Sequence, residues 1–209
     1  MVDAVEGLRE LERQRVSVKQ AAMADRLILT KTGIASPHAI PRLRERLAAI
    51  NPSAPLVVAN NGAVDIGWLL DPDPGRISWI SSELRKHEHH DHHGVRSFCL
   101  WFEQPLHAEE VQRSIAAILK VHGERVLRIK GLLDLAGETH PTAIHGIGSF
   151  LHPLEPLGSW PAADRRSRIV FIADRLTEAQ IAPFFEASPP TEPRNKTNTE
   201  FEEGPGNKL

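Results

Sequence analysis

A chain of 209 residues holds one ordinary domain or two small ones, with enough mass to bury a core. With 41% apolar residues, 25% charged residues and a formal net charge of -2, the composition is globular and gives no electrostatic case for nucleic acid or an acidic membrane surface. No apolar run approaches the roughly 20 residues that span a bilayer. Met1 to Glu6 lacks the basic-then-apolar layout of a signal peptide. A single cysteine, Cys99, excludes an internal disulfide framework and suits a reducing cytoplasm. Phe98, Leu100 and Trp101 around it read as the setting of a buried structural thiol rather than a nucleophile.

The first stretch, residues 1–80, has an α/β rhythm. Gly7 to Met23 carries Leu8, Leu11, Val16, Val18 and Ala22 among charges, an imperfect helical pattern. Leu27-Ile28-Leu29-Thr30 is a short apolar run consistent with a buried strand, ending in a loop at Lys31-Thr32-Gly33. Leu43, Leu47 and Ile50 predict a helix over Pro41 to Ile50, stopped by Asn51-Pro52. Pro55 to Ala59 is the next strand candidate, and Asn60-Asn61-Gly62 closes it. Strand, helix, strand in so short a space predicts a parallel pair within a doubly wound sheet. Two or three strands do not complete such a sheet, so the stretch reads as the incomplete remnant of an α/β domain. Its cut edge is expected to leave apolar surface near Leu27 to Leu29 and Leu56 to Val58, making residues 1–80 less soluble alone than 95–187.

From about Gly75 the chain turns polar. His87-Glu88-His89-His90-Asp91-His92-His93 places five imidazoles and two carboxylates in seven consecutive positions. Imidazole nitrogen is a favoured ligand of zinc, cobalt, nickel and copper, and a carboxylate can complete the sphere. The run therefore reads as a divalent-metal tract with His87, His89, His90, Asp91, His92 and His93 as ligands. In an extended segment His87, His89 and Asp91 project together, with His90 and His92 on the other side. The bland alternative is a solvated low-complexity linker.

The third stretch, 95–187, predicts an α+β unit. Val95 to Phe102 is a strand, and His107 to Val121 a helix with Val111, Ile115, Ile118 and Leu119 on one stripe. His122-Gly123 predicts a helix end, with glycine at positive φ. Val126 to Leu132 alternates, Leu127 and Ile129 sharing one face, Arg128 and Lys130 the other. Thr142 to Ile147 and Arg168 to Ile172 add two strands, and Thr177 with Gln180 predicts a capping box at a last helix. The order β-α-β-β-β-α predicts an antiparallel sheet with helices on one face. Trp79, Trp101 and Trp160 are read as core residues. His122, His145 and His152 are read as packing histidines, and Arg165, Arg166 and Arg168 as a solvated edge with an anion or partner surface as the alternative. Residues 188–209 lack an apolar pattern and read as disordered.

Several of these motifs together resemble the C-terminal domain of CobW-type GTPases. They are Arg96-Ser97-Phe98, Pro105-Leu106, His122 to Gly131, His145-Gly146, Trp160-Pro161 and Asp164 to Ile172. Val2-Asp3-Ala4 and Gln20 to Thr32 resemble the last third of the same family's GTPase domain. The resemblance implies a fold of α/β plus α+β type: part of a P-loop GTPase sheet (1–80), a His-rich linker (81–94), a small CobW C-terminal α+β domain (95–187) and a tail (188–209). It also implies GTP-dependent metal trafficking of zinc or cobalt, the latter in cobalamin synthesis.

Departures limit that implication. The chain contains neither GxxxxGK[ST], which cradles phosphates and magnesium, nor the family's Cys-x-Cys-Cys. The guanine-recognition loop reads Thr30-Lys31-Thr32-Gly33, and Gly33 has no carboxylate to meet the base. Thr30, Lys31 and Thr32 are thus a degenerate nucleotide site in which Lys31 can still pack along a base. No catalytic residue is expected, and GTP with Mg²⁺ is not expected to bind this chain alone. The expectation is a cytoplasmic, metallochaperone-like protein for zinc, cobalt or nickel, partnered by a client metalloprotein or an intact paralogue, without nucleic acid or membrane. The alternatives are a GTP-hydrolysing metal-insertion protein completed by an upstream segment or partner chain, and an inactive gene fragment.

Overall fold

A computed structural model describes residues 1–59, 61–70 and 94–186. The histidine run, Asn60, Trp79 and the tail beyond 186 lie outside the described residues.

Three parallel strands form the first sheet: β1 (Val2–Asp3), β2 (Leu27–Thr30) and β3 (Leu56–Val58), in the order β1-β2-β3. The crossovers are α1 (Gly7–Arg13) with α2 (Arg15–Met23), and then α3 (Ala39–Ile50). Both crossovers step in the same direction across the sheet, so the right-handed rule puts all three helices on one face. A short helix, α4 (Ile66–Leu70), follows, and Arg26 lies over its Trp68 ring at 5.6 Å.

The second sheet is antiparallel in its main ladders, with order β4-β9-β5-β6-β7: β4 (Val95–Phe102), β9 (Ser167–Asp174), β5 (Val126–Leu133), β6 (Thr142–Ile147) and β7 (Phe150–Leu151). A further strand, β8 (Glu155–Pro156), pairs with β6. Helix α5 (Ala108–His122) and the short α6 (Glu178–Ile181) and α7 (Pro183–Glu186) cover one face. Phe98, Val111, Ile115, Ile118, Ile129, Ile144, Ile169 and Phe171 fill the core beneath them. The predicted capping box is present: Thr177 N–H donates to Gln180 Oε1 at 3.1 Å.

The other face is covered as well. Val95, Leu127 and Ile172 share a second core with Leu11, Val18, Ala22, Leu27, Leu29, Leu43, Leu47 and Ile50. Helices α1–α3 are therefore a middle layer between the two sheets, and the expectation of helices on one face only is corrected. Leu27 and Leu29 are likewise buried under that layer rather than exposed.

Polar side chains rivet the layers together. Arg128, 3% exposed on β5, donates to Met23 O at the end of α2 at 2.7 Å and pairs with Asp25. Asp174 at the end of β9 accepts Arg15 and Lys19 from α2. Asn51, fully buried, donates to Ala21 O, Ala22 O and Ala24 O at 2.9–3.1 Å, satisfying carbonyls that α2 leaves open. Burial opposes ionisation of Asp25, yet the Arg128 hydrogen bond and charge hold its carboxyl below the usual value.

Three local readings are revised. Gly7 to Met23 is two helices, because Gln14 leaves the helix at φ -120°, ψ 107°. A bulge between Val126 and Arg128 moves Leu127 off the Ile129 face and onto the middle layer beside Ile172, where Arg128 is buried rather than solvated. Gly123 has helical φ (-53°), not positive φ; a Cβ there would meet Leu119 O at 2.4 Å.

Arg128→Met should lower stability to urea by about 2 kcal/mol, the order of a lost hydrogen bond to a charged group. Asp25 is largely exposed, so its pair contributes less than the Met23 carbonyl bond. Because its folded pKa is depressed, Asp25 stabilises above the ordinary carboxylate value near about 3.9, and that contribution fades as pH falls below it. The gap between wild type and R128M should narrow accordingly; an unchanged urea midpoint for R128M at pH 7 would contradict the riveting role. A polypeptide of residues 95–186 alone should bind ANS through Val95, Leu127 and Ile172 and unfold less cooperatively than the full chain. Equal midpoints and no dye binding would show that the middle layer is dispensable.

Candidate functional site

The C-terminal ends of parallel strands are where open α/β sheets place binding loops. Here β1 ends at Asp3 and β2 at Thr30, directly opposed in register. Thr30 Oγ1 donates to Val2 O at 3.2 Å, which ties the two strand ends together. Lys31 then takes φ +58°, a left-handed conformation that costs a non-glycine residue about 1–2 kcal/mol. Its carbonyl accepts from Ile34 N–H and Ala35 N–H, both at 3.2 Å, closing the loop.

The Lys31 side chain is already engaged. Nζ lies 2.6 Å from Asp3 Oδ2, while Asp3 Oδ1 accepts Val5 N–H at 2.7 Å. The Lys31 hydrogen bond, against burial and helped by backbone donors, holds the Asp3 carboxyl below its usual value; Asp3 in turn pushes the Lys31 ammonium up. Lys31, expected to be able to pack along a base, makes this ion pair in the structure. Thr32 is half-buried in the same turn. A Cβ at Gly33 would meet nothing within 4 Å, so packing does not force the loss of a carboxylate there.

The proposed metal ligands His87, His89, His90, Asp91, His92 and His93 all lie outside the described residues. Among the described residues no group of three or more His, Cys, Asp or Glu side chains is arranged to hold a metal. His122 packs edge-on against Phe184 at 5.9 Å, the structural role read from the sequence. His145 is half-buried on β6, and His152 is exposed with its ring edge-on to Phe150 at 4.8 Å.

The arginine cluster divides. Arg165 is exposed, whereas Arg166 pairs with Asp164 at 2.7 Å and Glu103 at 3.0 Å. Arg168 is 1% exposed, with Nε and Nη2 buried and without a hydrogen-bond partner; its guanidinium lies 5.6 Å from the Trp101 ring centroid, which Arg166 approaches to 5.1 Å. Burial pulls the Arg168 pKa down while the Asp164 charge opposes it. Trp101 and Trp160 are thus half-buried, Trp160 packing on Leu132 and Val170, rather than central in the core. Burial pushes the Cys99 thiol up to about 12, so it is an inert thiol at neutral pH. Sequence reasoning missed Arg128, Asp174 and Asn51; Asn51 carried a signal, a polar residue directly after a strong helix.

Among the described residues no helix is long and apolar enough to cross a membrane. Residues 95–188 match the family described as the cobalamin synthesis protein cobW C-terminal domain. The chain is 29% identical over 188 residues to the zinc chaperone YjiA of Escherichia coli K12, covering 88% of this chain and 58% of that protein. It is 30% identical over 176 residues to the zinc chaperone CobW of Pseudomonas aeruginosa PAO1, covering 78% of this chain and 44% of that protein. The crystal structure of Zn(II)-bound YjiA GTPase from E. coli superposes with a TM-score of 0.67 at 27% identity, over 88% of this chain and 58% of that one. A Zn(II)-bound triple mutant of YjiA gives 0.68 at 26%. The chain thus spans about half the length of the curated relatives it matches, and across that span their mixed α/β architecture is its own. Residues 95–188 thus belong to the cobW C-terminal domain family, and the chain as a whole is similar to the corresponding part of the zinc chaperones YjiA and CobW.

Proposed function

We propose that this chain is a metal-binding, metallochaperone-like protein in which His87, His89, His90, Asp91, His92 and His93 hold a divalent ion, zinc first and cobalt or nickel as competitors. The observation that carries the reading is the placement of five histidines immediately before a domain matched to the cobW C-terminal family. Borderline divalent ions prefer imidazole, and a run of adjacent ligands offers an adaptable rather than rigid sphere. Its units are the α/β segment 1–80, the linker 81–94, the α+β domain 95–187 and the tail 188–209. The α+β domain docks a client metalloprotein or a full-length paralogue, in the cytoplasm.

A second reading, GTP-driven metal insertion, is favoured by one observation. Asp3 and Lys31 sit at the C-terminal ends of two parallel strands, where nucleotide loops are built. The 209 residues contain no phosphate-binding loop, so turnover requires a segment or partner that supplies one.

Calorimetric titration with Zn²⁺, Co²⁺ and Ni²⁺ should show a component that vanishes when His87, His89, His90, His92 and His93 are all replaced by Ala. Identical isotherms before and after that replacement would sink the tract as a metal site. The purified 209-residue chain should release phosphate from GTP no faster than buffer. Turnover above background that survives Lys31→Ala and repurification would overturn the assignment of hydrolysis to a missing part.

A further inference from the structure

Strand β6 turns into β7 through Gly148 and Ser149. Gly148 at φ +56° fits the first position of a type II′ hairpin, the tight two-residue turn that fixes strand register. Ile147 opposes Phe150 and Gly146 opposes Leu151, so the next opposed pair is His145 with His152. The His152 N–H donating to His145 O at 2.9 Å shows that pairing. In an antiparallel pair, opposed side chains leave the same face with Cβ atoms about 4.5–5.5 Å apart. The Phe150 ring, two residues back on that face, meets the His152 ring edge-on at 4.8 Å and supports one of its sides. Opposite His145 on its other flank is Lys130, nine-tenths buried, whose charge acts on Asp25.

We propose that His145 and His152 form a cross-strand bis-imidazole site for one borderline divalent cation, Zn²⁺, Ni²⁺ or Cu²⁺. Metal–imidazole bonds of about 2.0–2.1 Å bring two ligating nitrogens to little more than 3 Å, within reach of opposed side chains at this spacing. The hairpin holds both residues in place before the ion arrives, so little chain ordering accompanies binding. With two protein ligands, at least two positions of a tetrahedral sphere stay with water or an incoming group, which makes the ion exchangeable. Mg²⁺ and Ca²⁺, which take oxygen ligands, are excluded by the same donor set. The site is independent of residues 87–93 and stands whether or not that run binds metal.

The test uses the full chain with His87, His89, His90, His92 and His93 replaced by Ala. Ni²⁺ titration should leave one weak equivalent that excess Mg²⁺ does not displace. Substoichiometric Cu²⁺ should broaden the amide resonances of Ile147, Phe150 and Leu151 first. Adding the exposed His152→Ala should weaken the remaining Ni²⁺ site about tenfold or more, at least the loss that even outer ligand partners cause, with an unchanged circular dichroism spectrum. Broadening centred elsewhere, or Ni²⁺ affinity indifferent to His152→Ala, overturns the proposal. A failure of the five-histidine run to bind metal in the parent chain leaves these readouts unaffected.

Discussion

The buried Arg128 guanidinium, reaching from β5 to the last carbonyl of α2 at Met23, is the contact on which the architecture turns. A helix layer between two sheets has to be apolar on opposite sides, and short helices rarely supply two apolar faces. The sequence answers on α2 with Val18 and the small residues Ala21 and Ala22, all buried in the core shared with both sheets. What apolar contact cannot cover, polar bonds satisfy: Asn51 at the carbonyl end of α2, Asp174 at its other end, and Arg128 between the layers. An uncompensated charge in that layer would cost several kcal/mol, so each of these groups has to find its partner for the sheets to close on the helices.

Buried and exposed polar contacts therefore do different work here. The ion pairs of the middle layer each keep one partner buried, Arg128 or Asp174, and the other toward solvent. The Lys31–Asp3 pair is solvent-exposed, and pairs of that kind contribute little to stability. An anion arriving at the strand ends can compete for Lys31 at little cost. The left-handed backbone of Lys31 keeps its loop shaped even when the side chain is released.

Much of this was legible from the chain. The β4, β5, β6 and β9 strands, α3 and α5 followed from alternation and from stripes such as Val111, Ile115 and Ile118, because those patterns are local. The break at Gln14 showed only as weak periodicity. The bulge at Leu127 was hidden because its cause is long-range: Leu127 leaves the Ile129 face to meet Val95 and Ile172 under the middle layer. Alternation put Arg128 and Lys130 together on one face, and it is the packing of α2 that encloses Arg128 there. Gly123 followed the usual chemistry of helix ends, yet its need for glycine comes from the Leu119 carbonyl and not from backbone handedness. The strand end at Thr30 and the loop after it were legible as a local pattern, while the Lys31–Asp3 pair needed the register of β1 against β2.

The histidine run meets this framework at a defined point. Its last residue, His93, is bonded to Gly94, whose carbonyl accepts Arg175 N–H and whose φ of +86° only glycine adopts readily. A Cβ at Gly94 would collide with the Arg175 side chain at 2.9 Å and approach Asp174 Oδ1 at 3.2 Å. The chain thus enters β4 beside the carboxylate that accepts Arg15 and Lys19. At that corner Asp174 pairs with two cations of α2, Arg15 and Lys19.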